Sequence, residues 1–265
     1  MPKKIIYYYQ TFVGLNDILN NSNNGVTHIH LSSIHFGLDE TNKTQYIHLN
    51  NNIPYDKVFD SVWNQLNIAK KQGIKVILMV GGAGGAFQTL FSDFETYYSL
   101  LKELILNKKD IIDGIDLDIE EFVRIEDVER VIRKIKADFG EDFIISMAPV
   151  QYSLETDTPG MGGFVYKDLY LNCGNLIDYF NVQCYSSYSF NSYNDIIKNG
   201  FPQEKIIIGS ISNQDINNNL KVVKQIVSCY PNFGGVFNWE YYDSPPDPNN
   251  HDKWASLMYS AIYQT

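Results

Sequence analysis

The sequence predicts a single (β/α)8 TIM barrel, and three observations carry that prediction. Eight short β-type runs occur along the 265 residues, most of them separated by amphipathic helical stretches. Runs such as VILMV, FIISMA and IIIGS are apolar but for a serine in each of the last two, as parallel strands covered on both faces are. Strand and helix alternating in this way over roughly 250 residues is the barrel's signature, whereas an open doubly wound sheet would leave its first and last strands as exposed edges.

The first strand is Lys4–Tyr9. Lys3 and Lys4 before an apolar stretch imitate a secretory leader, but the stretch is short, tyrosine-rich and followed by no small-residue cleavage site, so a strand is the reading and no compartment is assigned. Asn20–Asn24 reads as a surface turn before the second strand, Thr27–Phe36. Gly37–Pro54 is a polar insertion with room for a small hairpin, and Asp56–Lys71 is the first long amphipathic helix. The third strand, Lys75–Val80, leads through a glycine run to the helix Phe94–Leu106. The fourth strand, Gly114–Ile119, is followed by the helix Glu126–Asp138, and the fifth is Phe143–Met147. Tyr179–Tyr185 is the sixth strand, Ser192–Lys198 its helix, and Lys205–Ser210 the seventh strand. Asn217–Asn219 reads as another surface turn, ahead of the helix Leu220–Ser228. Gly234–Trp239 is the eighth strand and Lys253–Tyr263 the closing helix. No repeat, low-complexity tract or Pro/Gly/Ser linker divides the chain, so residues 1–265 read as one domain.

Composition narrows the function. With 21 Lys plus Arg against 31 Asp plus Glu the formal charge is −10, which disfavours nucleic acid or an anionic membrane as partner, since both demand a basic face. No apolar run reaches the roughly 18 residues of a membrane-spanning helix. Cys173, Cys184 and Cys229 are odd in number and lack C-x-x-C spacing, so neither a disulfide framework nor a zinc site is expected. Asn20-Asn21-Ser22 and Asn42-Lys43-Thr44 fit the glycosylation pattern, as chance allows in so Asn-rich a chain. The 14% aromatic content supplies good strand formers and also faces on which sugars stack.

The informative segment is Asp113-Gly-Ile-Asp116-Leu-Asp118-Ile-Glu120-Glu121. Alternation along a strand puts Ile115, Leu117 and Ile119 on the helix-facing side and Asp116, Asp118 and Glu120 on the other, inside the barrel. Carboxylates in line inside a barrel oppose one another's ionisation, and the segment offers no Lys or Arg to neutralise them. Such strain is kept where function requires it, and the C-terminal ends of barrel strands are where active sites lie. A divalent metal would call on further ligands; His28 and His30 share one face, but His35, His48 and His251 sit at the end of no other core strand, so structural histidines and no metal are the reading. For acid/base work, Glu120 stands last in the row, at the mouth, and crowding by Asp118 is expected to raise its pKa toward that of a general acid. The Gly81–Gly85 run has no following Lys, so it reads as close backbone approach near substrate and not as a phosphate cradle.

Asp113, Asp116, Asp118 and Glu120 resemble the D-x-x-D-x-D-x-E motif of glycoside hydrolase family 18, the chitinases and endo-β-N-acetylglucosaminidases. The resemblance runs along nearly the whole chain. Lys75–Gly82 is similar to the third-strand S-x-G-G region, Met147-Ala-Pro149 to the fifth-strand segment, Val182-Gln183-Cys-Tyr185 to the sixth-strand Q-x-Y segment, and Gly234–Tyr242 to the eighth strand with its Trp. The M-x-G-G-A and W-E-Y-[FY] patterns look most like single-domain members of fungal type.

The resemblance implies a retaining mechanism in which the substrate's own N-acetyl group is the nucleophile, with no cofactor. Glu120 would be the general acid/base, Asp118 would orient the acetamido N–H, Asp116 would share a proton or hydrogen bond with Asp118, and Tyr185 would bond the acetamido oxygen. Trp239, Gln183, Gly82, Met147 and Asp113 would complete the substrate site, Trp239 beneath the sugar and Asp113 bracing the base of the row. Met79 stands where the family has serine, which removes one hydrogen bond behind Asp116. The implied partner is an N-acetylglucosamine-containing oligosaccharide or polysaccharide, cleaved by a monomer. A catalytically weak or inactive lectin-like barrel is the alternative, disfavoured by the presence of Glu120, and a metal-dependent hydrolase is a third, weakened by the shortage of histidines.

Overall fold

The structure, a computed structural model, describes residues 2–21 and 23–264. Nine strands form: β1 (Lys4–Tyr9), β2 (His28–Asp39), β3 (Thr44–Leu49), β4 (Lys75–Gly81), β5 (Gly114–Asp118), β6 (Ile144–Met147), β7 (Tyr179–Gln183), β8 (Ile206–Ile211) and β9 (Gly235–Trp239). All but β3 pair in parallel in the order β1-β9-β8-β7-β6-β5-β4-β2, and β1 pairs with β2 to close the barrel. The eight barrel strands are those expected from the apolar runs, with ends moved by at most three residues. The hairpin expected in the insertion is β3, antiparallel to the outer half of β2, with Phe36 opposite Ile47.

Two apolar layers result from strand alternation. Tyr7 and Tyr9 of β1, Ile29 and Leu31 of β2, and Ile145 and Met147 of β6 face the helices and belong to the large outer core. Ile6, Tyr8, Met79, Tyr179, Ile207 and Phe237 fill the barrel interior beneath Tyr185 and Trp239. Gly209 makes room there: a Cβ on it would stand 1.8 Å from the Phe237 ring. The helix Ile125–Phe139 shows how the outer layer is read from sequence, burying Val128, Val131, Ile132 and Ile135 at helical spacing.

Two expectations are corrected. Asn217–Asn219 are no surface turn; they lie in the first turn of the helix Ile216–Cys229, capped by Asp215, whose carboxylate accepts from the Asn217 N–H at 3.0 Å. Asparagine's preference for helix starts as well as for turns explains the misreading. In the 20–24 segment Asn24 is buried, donating to the Ile18 carbonyl at 2.8 Å, while Ser22 and the glycosylation pattern it ends lie outside the described residues. The helices Ala86–Ser92, Tyr152–Glu155 and Tyr166–Cys173 leave no clear mark on the sequence, because each is shorter than the window in which helical periodicity is secure.

Candidate active site

Strand β5 delivers the acidic row to the barrel mouth. Asp116 is wholly buried and receives four neighbours from four other strands. The Tyr8 hydroxyl of β1 donates to its Oδ2 at 2.7 Å, and the Ser146 hydroxyl of β6 donates to Oδ1 at 2.6 Å. Asn181 Nδ2 of β7 donates to Oδ1 at 3.2 Å, and His30 Nδ1 of β2 stands 3.4 Å from Oδ2. Burial alone would raise the Asp116 carboxyl, but His30, Ser146 and Tyr8 together hold it below the ordinary aspartate value.

Asp118 has the opposite fate. Burial first, then repulsion by Glu120, Asp116 and Glu121, pushes its carboxyl well above the usual range, against one opposing hydrogen bond from Gln183. Glu120, half-exposed, is raised by burial, lowered by Gln183 and raised again by Glu121. The expected crowding of Glu120 by Asp118 therefore acts chiefly in the other direction: Asp118, the deeper group, carries the repulsion. Gln183 Nε2 links the pair, donating to Asp118 Oδ1 at 3.1 Å and reaching Glu120 Oε1 at 3.5 Å, while the Ala148 carbonyl accepts from it at 2.8 Å.

These side chains line a cavity of about 290 Å³ together with Gln10, Ser33, Met79, Gly81, Gly82, Ala83, Tyr185 and Trp239. Trp239 ends β9 and packs on Tyr8, ring centroids 5.3 Å apart. Tyr185 lies just past β7 in a loop held by Gln214, whose Nε2 donates to the Tyr185 carbonyl at 2.8 Å and the Cys184 carbonyl at 3.2 Å. Gly81, at φ +99°, brings its chain so close to β5 that a Cβ would stand 2.2 Å from the Asp118 carbonyl oxygen. An adjoining groove of about 670 Å³ shares Gln10, Ser33 and Ala83 with the cavity and is lined further by Thr11, Phe12, His35, His48 and Asn50. Among the described residues no group of His, Cys, Asp and Glu is arranged to hold a metal ion.

The structure brings together Asp116, Asp118, Glu120, Gly82, Gln183, Tyr185 and Trp239 and leaves out two expected members. Met147 is wholly buried in the outer core, because its neighbour Ser146 takes the inward position on β6. Asp113 lies before β5, at the end remote from the mouth, where Lys75 Nζ stands 2.9 Å away, Lys70 also pairs with it and the Val76 N–H donates at 3.0 Å. It ties β5 to β4 and touches no part of the cavity. Sequence reasoning missed Tyr8, Ser146 and Asn181, polar groups at inward positions of otherwise apolar strands; strand parity was the available signal. Ser146, from the strand on the opposite flank of β5, donates to the aspartate that Met79 cannot serve.

The family model described as glycosyl hydrolases family 18 matches residues 4–221. No curated protein matches the chain significantly. Among solved structures, a fungal endo-β-N-acetylglucosaminidase from the same family superimposes with a TM-score of 0.90 at 29% identity, covering 98% of both chains. Chitinase ChiC from Aspergillus fumigatus superimposes with a TM-score of 0.85 at 29% identity, over 99% of this chain and 100% of that one. A chitinase from Pseudoalteromonas aurantia, at 19% identity and TM-score 0.75 over 98% of this chain and 100% of that one, shares the fold.

Proposed function

The chain belongs to glycosyl hydrolases family 18, and from that premise we propose that it cleaves the β-1,4 bond on the reducing side of N-acetylglucosamine, with retention and by substrate assistance. One observation carries the reading: Glu120 and Asp118, both raised and linked by Gln183, stand in the Trp239-lined cavity above an Asp116 that the barrel interior keeps ionised. In this reading Glu120 donates its proton to the glycosidic oxygen as the C–O bond breaks. The substrate's acetamido carbonyl oxygen attacks the anomeric carbon and closes an oxazolinium ring. Asp118 accepts the acetamido N–H and offsets the positive charge that develops there; an anion destabilised at rest gains most when a cation forms beside it. Tyr185 bonds the acetamido oxygen and Trp239 stacks beneath the sugar. Glu120, now ionised, takes a proton from the water that opens the ring, and the β configuration is restored.

The cavity has the scale of one sugar unit, and the adjoining groove supports an oligomeric substrate. Chitin and the core of N-glycans share the linkage, so the test sets chitin oligomers beside a high-mannose glycopeptide, with products followed by NMR from the first turnover. Initial β product from at least one of them is expected. An α product, or normal turnover of substrates lacking the N-acetyl group, overturns the mechanism.

A further inference from the structure

Past Asp118 the chain leaves β5 and has no sheet partner to hold it, yet it must present Glu120 at a fixed height. Four hydrogen bonds stitch this stretch to the segment that follows β4. The Gly82 N–H donates to the Asp118 carbonyl at 2.9 Å, and Gln88 Nε2 donates to the Phe122 carbonyl at 3.3 Å. Between them the Glu121 carboxylate accepts from the Phe87 N–H and, at 3.3 Å, from the Gln88 N–H. Those are the opening donors of the helix Ala86–Ser92, which starts at Gly85 with no side-chain cap of its own. Glu121 supplies the acceptor that the helix lacks.

No Lys or Arg among the described residues forms an ion pair with Glu121, Glu120 or Asp118. The titratable and polar groups that face these three carboxylates are Tyr8 from β1, Asp116 from β5, Gln183 and Tyr185 from the β7 end and Tyr166 from its helix, with His35 from β2 facing Glu121. His35 is the only base among them, and burial disfavours its charged form.

We infer that Glu121 is a positioning residue for the general acid: it staples the Glu120 loop to the first turn of the helix Ala86–Ser92 and holds its carboxylate beside Glu120. The inference rests on the reading of Glu120 as the acid. The sign of the effect follows from repulsion. With the Glu121 charge removed, Glu120 gives up its proton at lower pH, and the rate falls away sooner on the alkaline side.

Glu121→Gln keeps the side-chain oxygen that accepts the two N–H bonds and removes the charge; Glu121→Ala removes both. The experiment is the pH profile of kcat/KM on a chitin oligomer or glycopeptide, beside Glu120→Gln and with circular dichroism for folding. Glu121→Gln is expected to move the alkaline limb to lower pH while its rate on the acid side stays within about threefold of wild type. Glu121→Ala is expected to show the same movement and a further loss of about tenfold in kcat at every pH, from a loosened acid. If Glu121→Ala fails to fold, Glu121→Gln decides. A Glu121→Gln limb that coincides with wild type, or moves upward, overturns the inference while an inactive Glu120→Gln leaves the acid assignment standing. An active Glu120→Gln overturns the assignment itself.

Discussion

A carboxyl group that must donate a proton near neutral pH has to be made a weaker acid than water would leave it. In the proposed mechanism Glu120 is that group; among the described residues no Lys or Arg pairs with it or with Asp118, whereas Asp116 receives three hydrogen bonds and an imidazole. Glu120→Gln preserves shape and removes the proton, so turnover of an unactivated oligosaccharide is expected to fall by at least about 10²–10⁴-fold with binding retained. Calorimetric affinity measured beside kcat checks both halves. Asp118→Asn separates function from stability. The amide cannot offset a forming positive charge, so kcat falls. It also removes a carboxyl whose ionisation is opposed by burial and by Glu120, Asp116 and Glu121, so the melting temperature is expected to rise, by roughly 2–4 °C for each kcal/mol recovered. A variant that is both inactive and less stable than wild type would contradict this account.

At the scale of the element, alternation decides what each strand contributes. β5 divides its residues between helices and mouth; β6 turns Ser146 inward and Met147 outward; β7 turns Asn181 and Gln183 inward. β8 serves by omission, since Gly209 leaves the space that the Phe237 ring fills from β9. Gly209→Ala is therefore expected to cost about 1–3 kcal/mol through overpacking of the interior, read as a lower urea midpoint at unchanged slope. The ring lies below Tyr185 and Trp239, so kcat/KM should fall in parallel with the midpoint. The strands were legible from apolar runs, and so was the face of the long helices. The short helices were not, since Tyr166, Leu169 and Cys173 give too few turns of periodicity to stand out from the polar residues around them.

Over the whole molecule the buried carboxyls set opposing limits on stability. Asp113 and Asp116 are held below their ordinary values, so their contribution is complete above the unfolded value of about 3.9 and is lost as pH falls through the folded one. Asp118 and Glu120 are raised, so their favourable contribution is present at low pH and is lost as pH rises through their folded values. Melting temperature is therefore expected to peak at mildly acidic pH and decline on both sides, and Asp118→Asn should flatten the decline toward neutrality; calorimetry from about pH 3 to 8 checks both. The sequence by itself determined the order of strands and helices, the barrel class, and the acidic row with its inward face, because these follow from periodicities of two and 3.6 within single segments. Only the tertiary structure decided that Tyr8, His30, Ser146 and Asn181 converge on Asp116, that Asp113 is spent on Lys70 and Lys75, and that Glu121 reaches the helix beginning at Ala86. Closing the barrel puts strands distant in sequence side by side, and the stagger that selects which side chains meet is a property of the closed sheet, not of any one strand.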